Sequence, residues 1–295
     1  MRTIILRIAY DGSHYAGWQQ QQNALGIQSV ICAALQRMTR EEQRLVAASR
    51  TDAGVHALGQ IAVFRTATAI APSAFVAGLR GYLPPEIVVT DAVEGPGDFH
   101  PRRDATAKTY RYLLHCGAPF HPLLRERVWM LHHSLHTDAM TQAAAVLCGE
   151  HDFRAFAASN DHNRSKVCVL SRFHIACVPA AQYFPSLQPI TGTVIGCEIT
   201  GNRFLKQMIR NMVGTLMEVG EGRRAPDTMT GILASQDRRR AGRCAPGCGL
   251  YLTAIDYPCP LFERSVATVR PDVSGEVPGP LWSVERPVEK RGSSE

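Results

Sequence analysis

One order of elements, run through twice, constrains this chain more than any other feature. Arg2 to Tyr10 mixes β-branched residues with partial alternation and ends at Asp11-Gly12, so it reads as a strand closed by a turn. Over residues 26–40, Ile27, Val30, Ile31, Ala34, Leu35 and Met38 fall at helical spacing. Strand-like runs follow at 45–49 and 60–65. Pro72 then opens a helix through Phe75, Val76, Leu79 and Tyr82, and Pro84-Pro85 stops it before a strand at 86–93. The order β-α-β-β-α-β is the split βαβ unit, in which two helices cover one face of an antiparallel sheet.

The second part repeats that order without repeating the sequence. Strands are expected at 108–116 and 128–132, an Ala-rich helix at 137–148, and strands at 167–178 and 191–200. A long helix is expected at 204–219, a shorter one at 227–234 and a last strand at 250–257. The expected fold class is therefore α+β: two pseudo-symmetric split βαβ (ferredoxin-like or RRM-like) units whose antiparallel sheets join around a central cleft. The chain divides into 1–104, 105–260 and a Pro-containing tail, 261–295, read as disordered.

Charge is unevenly placed. Of the formal net +6, residues 1–100 contribute nothing, with 8 basic and 8 acidic side chains, whereas 101–262 hold 19 basic and 12 acidic. That excess suits a polyanionic partner. Nine cysteines, with only Cys244 and Cys248 close together, form neither a disulfide framework nor a paired metal-ligand pattern, so no metal is expected and free thiols fit a reducing cytoplasm. Arg7 interrupts the first apolar run, so it is no signal segment, and no run reaches the ~18–20 apolar residues of a membrane span.

The loop Ala48-Ser49-Arg50-Thr51-Asp52-Ala53-Gly54-Val55-His56-Ala57 holds an acid, a base and a glycine between two strands, where functional residues gather. The plainer reading is an Asx-turn begun by Asp52, with Gly54 at positive φ. Glycosidase chemistry needs a second carboxylate ~5–10 Å away, and Asp11 is the candidate to approach in space. The loop around it, Gly12 to Trp18, is either a binding loop or a turn packed by Trp18. On the expected long helix Arg203, Lys206 and Arg210 share one face at i, i+3 and i+7 with no acid three or four positions away. Arg102-Arg103, Lys108 and Arg111 interleave with Tyr110 and Tyr112, and Arg223-Arg224 and Arg238-Arg239-Arg240 add basic density. Charge for phosphates beside rings for splayed bases suits single-stranded or looped nucleic acid.

These segments together resemble the tRNA pseudouridine synthase A family. The resemblance rests on Arg50-Thr51-Asp52-Ala53-Gly54-Val55-His56-Ala57, with Ser49 where glycine is usual, and on Tyr10-Asp11-Gly12 with Gly17-Trp18-Gln19. It continues through Phe99-His100-Pro101-Arg102, Lys108-Thr109-Tyr110-Arg111-Tyr112 and His151-Asp152-Phe153. Phe204 to Asn211, Arg238-Arg239-Arg240-Ala241-Gly242 and Gly249-Leu250-Tyr251-Leu252 complete it, in order over residues 2–258.

The resemblance implies the pseudouridine synthase fold and isomerisation of uridine to pseudouridine at tRNA positions 38–40, on the 3′ side of the anticodon stem-loop. It implies no metal or organic cofactor, and a cytoplasmic homodimer whose subunits share one tRNA. Asp52 matches the essential aspartate, which attacks C1′ or takes the 2′ proton. Arg210 matches the arginine that pairs with it, Tyr110 the tyrosine on the target base and candidate acceptor of its C5 proton, and Leu252 a pocket-lining residue. Arg50 matches a position that holds the flipped nucleotide, and Arg102, Lys206 and Arg203 are expected to bind substrate. Lys206-Gln207 and Gly247-Cys248 depart from the family pattern. Two other readings stay open: a synthase acting on another RNA, and a non-catalytic tandem RRM-like protein, although the run Leu58 to Phe64 keeps only one of the aromatics an RRM needs.

Overall fold

The computed structural model describes residues 1–20 and 24–262. The first half runs β1 (Arg2–Tyr10), α1 (Ile27–Thr39), β2 (Val46–Ala47), β3 (His56–Thr66), α2 (Pro72–Leu79) and β4 (Ile87–Gly95). The second half runs β5 (Ala107–Cys116), β6 (Trp129–Leu131), α3 (Thr137–Ala145), β7 (Gly149–Asp152), β8 (Val167–Pro179), α4 (Ala180–Tyr183) and β9 (Thr193–Gly201). It closes with α5 (Met208–Gly220), α6 (Thr228–Ser235) and β10 (Leu250–Asp256). The tail expected to be disordered lies, from 263 onward, outside the described residues.

All ten strands belong to one sheet in the order β4-β1-β3-β10-β5-β9-β8-β7, with β2 on β3 and β6 on β5. Taken separately, β4-β1-β3 with β2 and β10-β5-β9-β8 are the same arrangement, that of a split βαβ unit. The two meet where β10 lies parallel to the start of β3, Tyr251 beside His56 and Leu252 beside Ala57. The other long pairings are antiparallel.

Period-two alternation decides which side each residue faces. Ile4, Leu6, Ile8 and Tyr10 of β1 join the main core under α1 and α2, while Ile5 packs on the opposite face with Ile61, Val63 and Phe262. Burial of each such side chain contributes ~1.5–3 kcal/mol, so a one-residue slip that turned all four outward is strongly disfavoured. In β5, Tyr110, Tyr112 and Leu114 likewise face the helix layer, with Leu113 on the other side. The two tyrosines do share a face, as their spacing indicates, but Tyr112 is fully buried there, and its hydroxyl donates to the Pro246 carbonyl at 2.8 Å.

Three expectations are corrected. The strand at 45–49 shrinks to Val46–Ala47, because the chain leaves the sheet there and loop 48–55 runs over the β3–β10 seam. Strand β3 starts at His56, four residues earlier than its apolar run indicates, because β10 supplies a partner there. Helix α5 begins at Met208, not 204, so Arg203 and Lys206 do not share a helical face with Arg210. Gln207 takes a left-handed φ of 58°, the Lys206 N–H donates to Asp161 Oδ2 at 2.8 Å, and the Lys206 carbonyl accepts from the Ala158 N–H. Those contacts hold 205–207 as a turn although helical spacing of apolar residues continues through it.

Helix α5 lies against segment 243–245 through Gly214, where a Cβ would fall on the Arg243 carbonyl. Gly214→Ala gains helix propensity of ~1 kcal/mol but overpacks this contact at a cost of ~1–3 kcal/mol or more. Urea unfolding should show the variant less stable than the parent. A gain in stability would mean that the close approach at Gly214 carries no strain.

Candidate active site

The centre of the molecule is loop 48–55, held from two sides by backbone contacts that tolerate no side chain. Gly17, at φ +99°, lies where a Cβ would stand 2.6 Å from the Thr51 carbonyl, and that carbonyl accepts from the Trp18 N–H at 3.0 Å. Gly54 takes φ +73°, and a Cβ on Gly247 would fall on the Ala53 carbonyl. The turn itself is a main-chain one, with Val55 N–H donating to the Asp52 carbonyl at 3.2 Å. The Asp52 carboxylate is engaged elsewhere.

Arg210 Nη1 donates to Asp52 Oδ2 at 3.0 Å across 158 residues of sequence, and Arg210 Nε donates to the Ala245 carbonyl at 2.7 Å. The guanidinium is thus fixed at two points on the first turn of α5. The side chains of Arg210 and Asp52 are 15% and 22% exposed, enough shielding to strengthen the pair while leaving the acid reachable. Beside it, the Tyr110 hydroxyl lies 2.6 Å from Ser49 Oγ, and the ring meets Phe204 edge-on at 5.2 Å. Burial pushes the Tyr110 pKa up to about 12; the Ser49 hydrogen bond opposes this and the charge of Asp52 adds to it. Tyr110 is therefore a neutral phenol at pH 7. Leu252 is fully buried on β10, paired across to Tyr110 on one side and beside Ala57 on the other.

The remaining residues singled out in the sequence separate into two groups. Arg50, Arg102 and Arg203 lie without a carboxylate partner among the described residues, and Arg50 and Arg102 are exposed. Lys206 is fixed only through its backbone. Much of the other basic density is already committed: Arg111 and Arg172 to Glu198, Arg223 to Glu221, Arg224 to Glu218 and Arg239 to Asp237. Arg238 donates to buried Asn211 at 2.8 Å. Asp11 does not serve as a second acid, since its carboxylate receives Arg127 at 2.5 Å and both the N–H and the hydroxyl of Ser13. Trp18 is 2% exposed and packs on Tyr10, so its loop is a packed turn that supports the centre. Phe64, the one aromatic available to an RRM-like reading, is buried against Phe75 and offers no stacking surface.

Two holding residues escaped sequence reasoning. Gln60 is wholly buried: its Oε1 accepts from Ser49 N–H at 3.2 Å, and its Nε2 donates to the Ser49 carbonyl at 2.8 Å and to the Tyr10 hydroxyl at 3.4 Å. Tyr10 in turn bonds Thr51 Oγ1 at 2.8 Å, so one amide braces both sides of Arg50. The only sequence signal was a polar residue inside the apolar run Leu58 to Phe64. His56, stacked on Tyr251 at 4.6 Å, accepts from the Gly12 N–H at Nδ1 and faces the Cys248 carbonyl through Nε2 at 3.1 Å. Burial lowers its pKa, and Asp11, whose Oδ1 lies 3.1 Å from Nδ1, opposes the shift while Arg127 reinforces it; the ring ties the 11–18 loop to the 246–249 segment.

Gln60→Leu keeps the volume but leaves the part-buried Ser49 N–H and C=O without these partners, at ~1–3 kcal/mol. Thermal unfolding should show that loss.

The sequence profile of the tRNA pseudouridine synthase family matches residues 7–103 and 143–258. The chain is 40% identical over 257 residues to tRNA pseudouridine synthase A of Pelobacter propionicus, covering 87% of this chain and all of that one. It is 41% identical over 257 residues to the protein of that name from Geotalea uraniireducens, with the same coverage. To the one from Myxococcus xanthus it is 40% identical over 257 residues, 87% of this chain and 92% of that one. With the doubled split βαβ sheet and the Asp52–Arg210 pair at its seam, these matches place the chain in the tRNA pseudouridine synthase family.

Proposed function

We propose that this protein isomerises uridine to pseudouridine at positions 38–40 of tRNA, with Asp52 as the catalytic group. The observation that carries this reading is a carboxylate held by a two-point guanidinium, beside a buried phenol and Leu252, at the junction of the two half-sheets. The reaction breaks C1′–N1, turns the freed uracil and joins C5 to C1′, so the nucleotide must first leave its stack. Arg50, Arg102, Arg203 and Lys206 are assigned to holding the RNA. Neither route open to Asp52, attack on C1′ or removal of the 2′ proton, consumes water, so one carboxylate suffices.

Tyr110 packs on the extruded base in this reading. As a neutral phenol it can accept the C5 proton only by passing on its own, and the Ser49 hydroxyl at 2.6 Å can relay that proton by releasing its own to solvent. The family resemblance further carries a homodimer whose two subunits grip one tRNA. All nine cysteines are unpaired, as suits an enzyme working in the cytoplasm.

The test is release of tritium from C5-labelled uridine in tRNA. Asp52→Asn should abolish release while tRNA binding survives, and Arg210→Ala should cut turnover by ~10²-fold or more, the scale of losing a charged contact to the reacting group. Full activity of Asp52→Asn would overturn the assignment. Repeating the assay with anticodon stem-loops and with unrelated RNAs separates the stated target from another RNA.

A further inference from the structure

Lys108 has no part in the site as described so far, yet its surroundings differ from those of the other well-covered cations among the described residues. The residue is 8% exposed, and its ammonium donates to a single protein acceptor, the Ala48 carbonyl at 2.7 Å. Lys166, Arg111 and Arg210, also well covered, each meet a carboxylate at 2.5–3.0 Å. Lys108 meets none among the described residues. The charged groups that bear on it are Arg102 and Arg203, both cations, and Arg50 bears on Arg102 in turn. Burying an ammonium among like charges with two of its three donors unspent is costly unless something else brings negative charge.

The position says what that would be. Lys108 and Tyr110 are two apart on β5 and so on the same face, ~7 Å apart along the strand. Ala48, which Lys108 holds, precedes Ser49, which holds Tyr110. We propose that Lys108, with Arg102 and Arg203, forms a seat for one RNA backbone phosphate next to the Tyr110 base pocket, with Lys108 as its inner wall. The proposal rests on the RNA reading above and adds a binding residue to it. A phosphate would take the two free N–H groups and offset the mutual repulsion of the three cations.

The ammonium also carries a signature of its own. Burial first, then Arg102 and Arg203, lower its pKa to about 8. A bound phosphate favours the charged form and moves that value back up. Anion affinity must then fall as pH rises through 8, because the seat loses its charge there. The chain has only four lysines, Lys108, Lys166, Lys206 and Lys290, so their ε-carbon NMR signals are few enough to assign by substitution.

In full-length protein labelled at the lysine ε-carbon, the signal absent from Lys108→Met should titrate near pH 8. It should move to higher pH on adding inorganic phosphate or an anticodon stem-loop. Lys108→Met should weaken tRNA binding at pH 7 by about tenfold or more and reduce the slope of log K against log salt by ~1. Lys108→Arg should restore binding and flatten its pH dependence between 7 and 9.5. A Lys108 signal unmoved by both ligands, or a Lys108→Met variant with unchanged affinity and salt slope, overturns the seat and leaves Lys108 as a pin for the Ala48 carbonyl. Failure of the tRNA reading looks different: no pseudouridine forms in any RNA, while inorganic phosphate still shifts the Lys108 signal.

Discussion

The ion pair between Asp52 and Arg210 is the interaction on which the centre of this molecule depends, because it joins a loop of the first half to a helix of the second across the seam where β10 runs parallel to β3. Such a pair fixes geometry only if neither partner can drift. Arg210 is held by the Ala245 carbonyl, and Ala245 by the close approach that Gly214 permits. Asp52 sits in a loop pressed between Gly17 and Gly247 and braced by Gln60. These contacts converge from the loop after β1, from β3, from α5 and from the approach to β10, so the site is rigid because four separated parts of the chain agree on it.

Charge in this protein is better understood cation by cation than as a sum. The basic excess of residues 101–262 suggests a broad surface for a polyanion, yet arginines at 111, 172, 223, 224 and 239 are tied to local carboxylates. What stays unspent is more informative. Arg102 and Arg203 bear on Lys108 and Arg50 on Arg102, a set drawn from both halves of the chain, and none of the four has a carboxylate partner among the described residues.

Much of the fold was legible because it rests on local periodicity. The alternation in β1 and β5, Pro72 at the start of α2 and the spacing in α1 are properties of neighbouring residues, and each appears where expected. The errors occur where long-range hydrogen bonds compete with local preference. Helical spacing extends back through 204–207, but Asp161 and Ala158 claim the backbone of Lys206 and delay the start of the helix to Met208. The stretch 45–49 has strand character throughout, but β3 has room for it only at Val46 and Ala47.

The sequence by itself determined the doubled element order, the family and the acid in its loop, since periodicity and contiguous motifs need no knowledge of distant neighbours. It also marked Arg210 through resemblance. Only the tertiary structure decided what each polar group touches: that Asp11 serves Arg127, that Tyr112 is sealed under Pro246, and that Gln60 braces Ser49. It alone shows Lys108 buried among cations. Hydrogen bonds and ion pairs are made by atoms within ~3 Å, and residues up to 158 positions apart reach that distance here only after the sheet has closed.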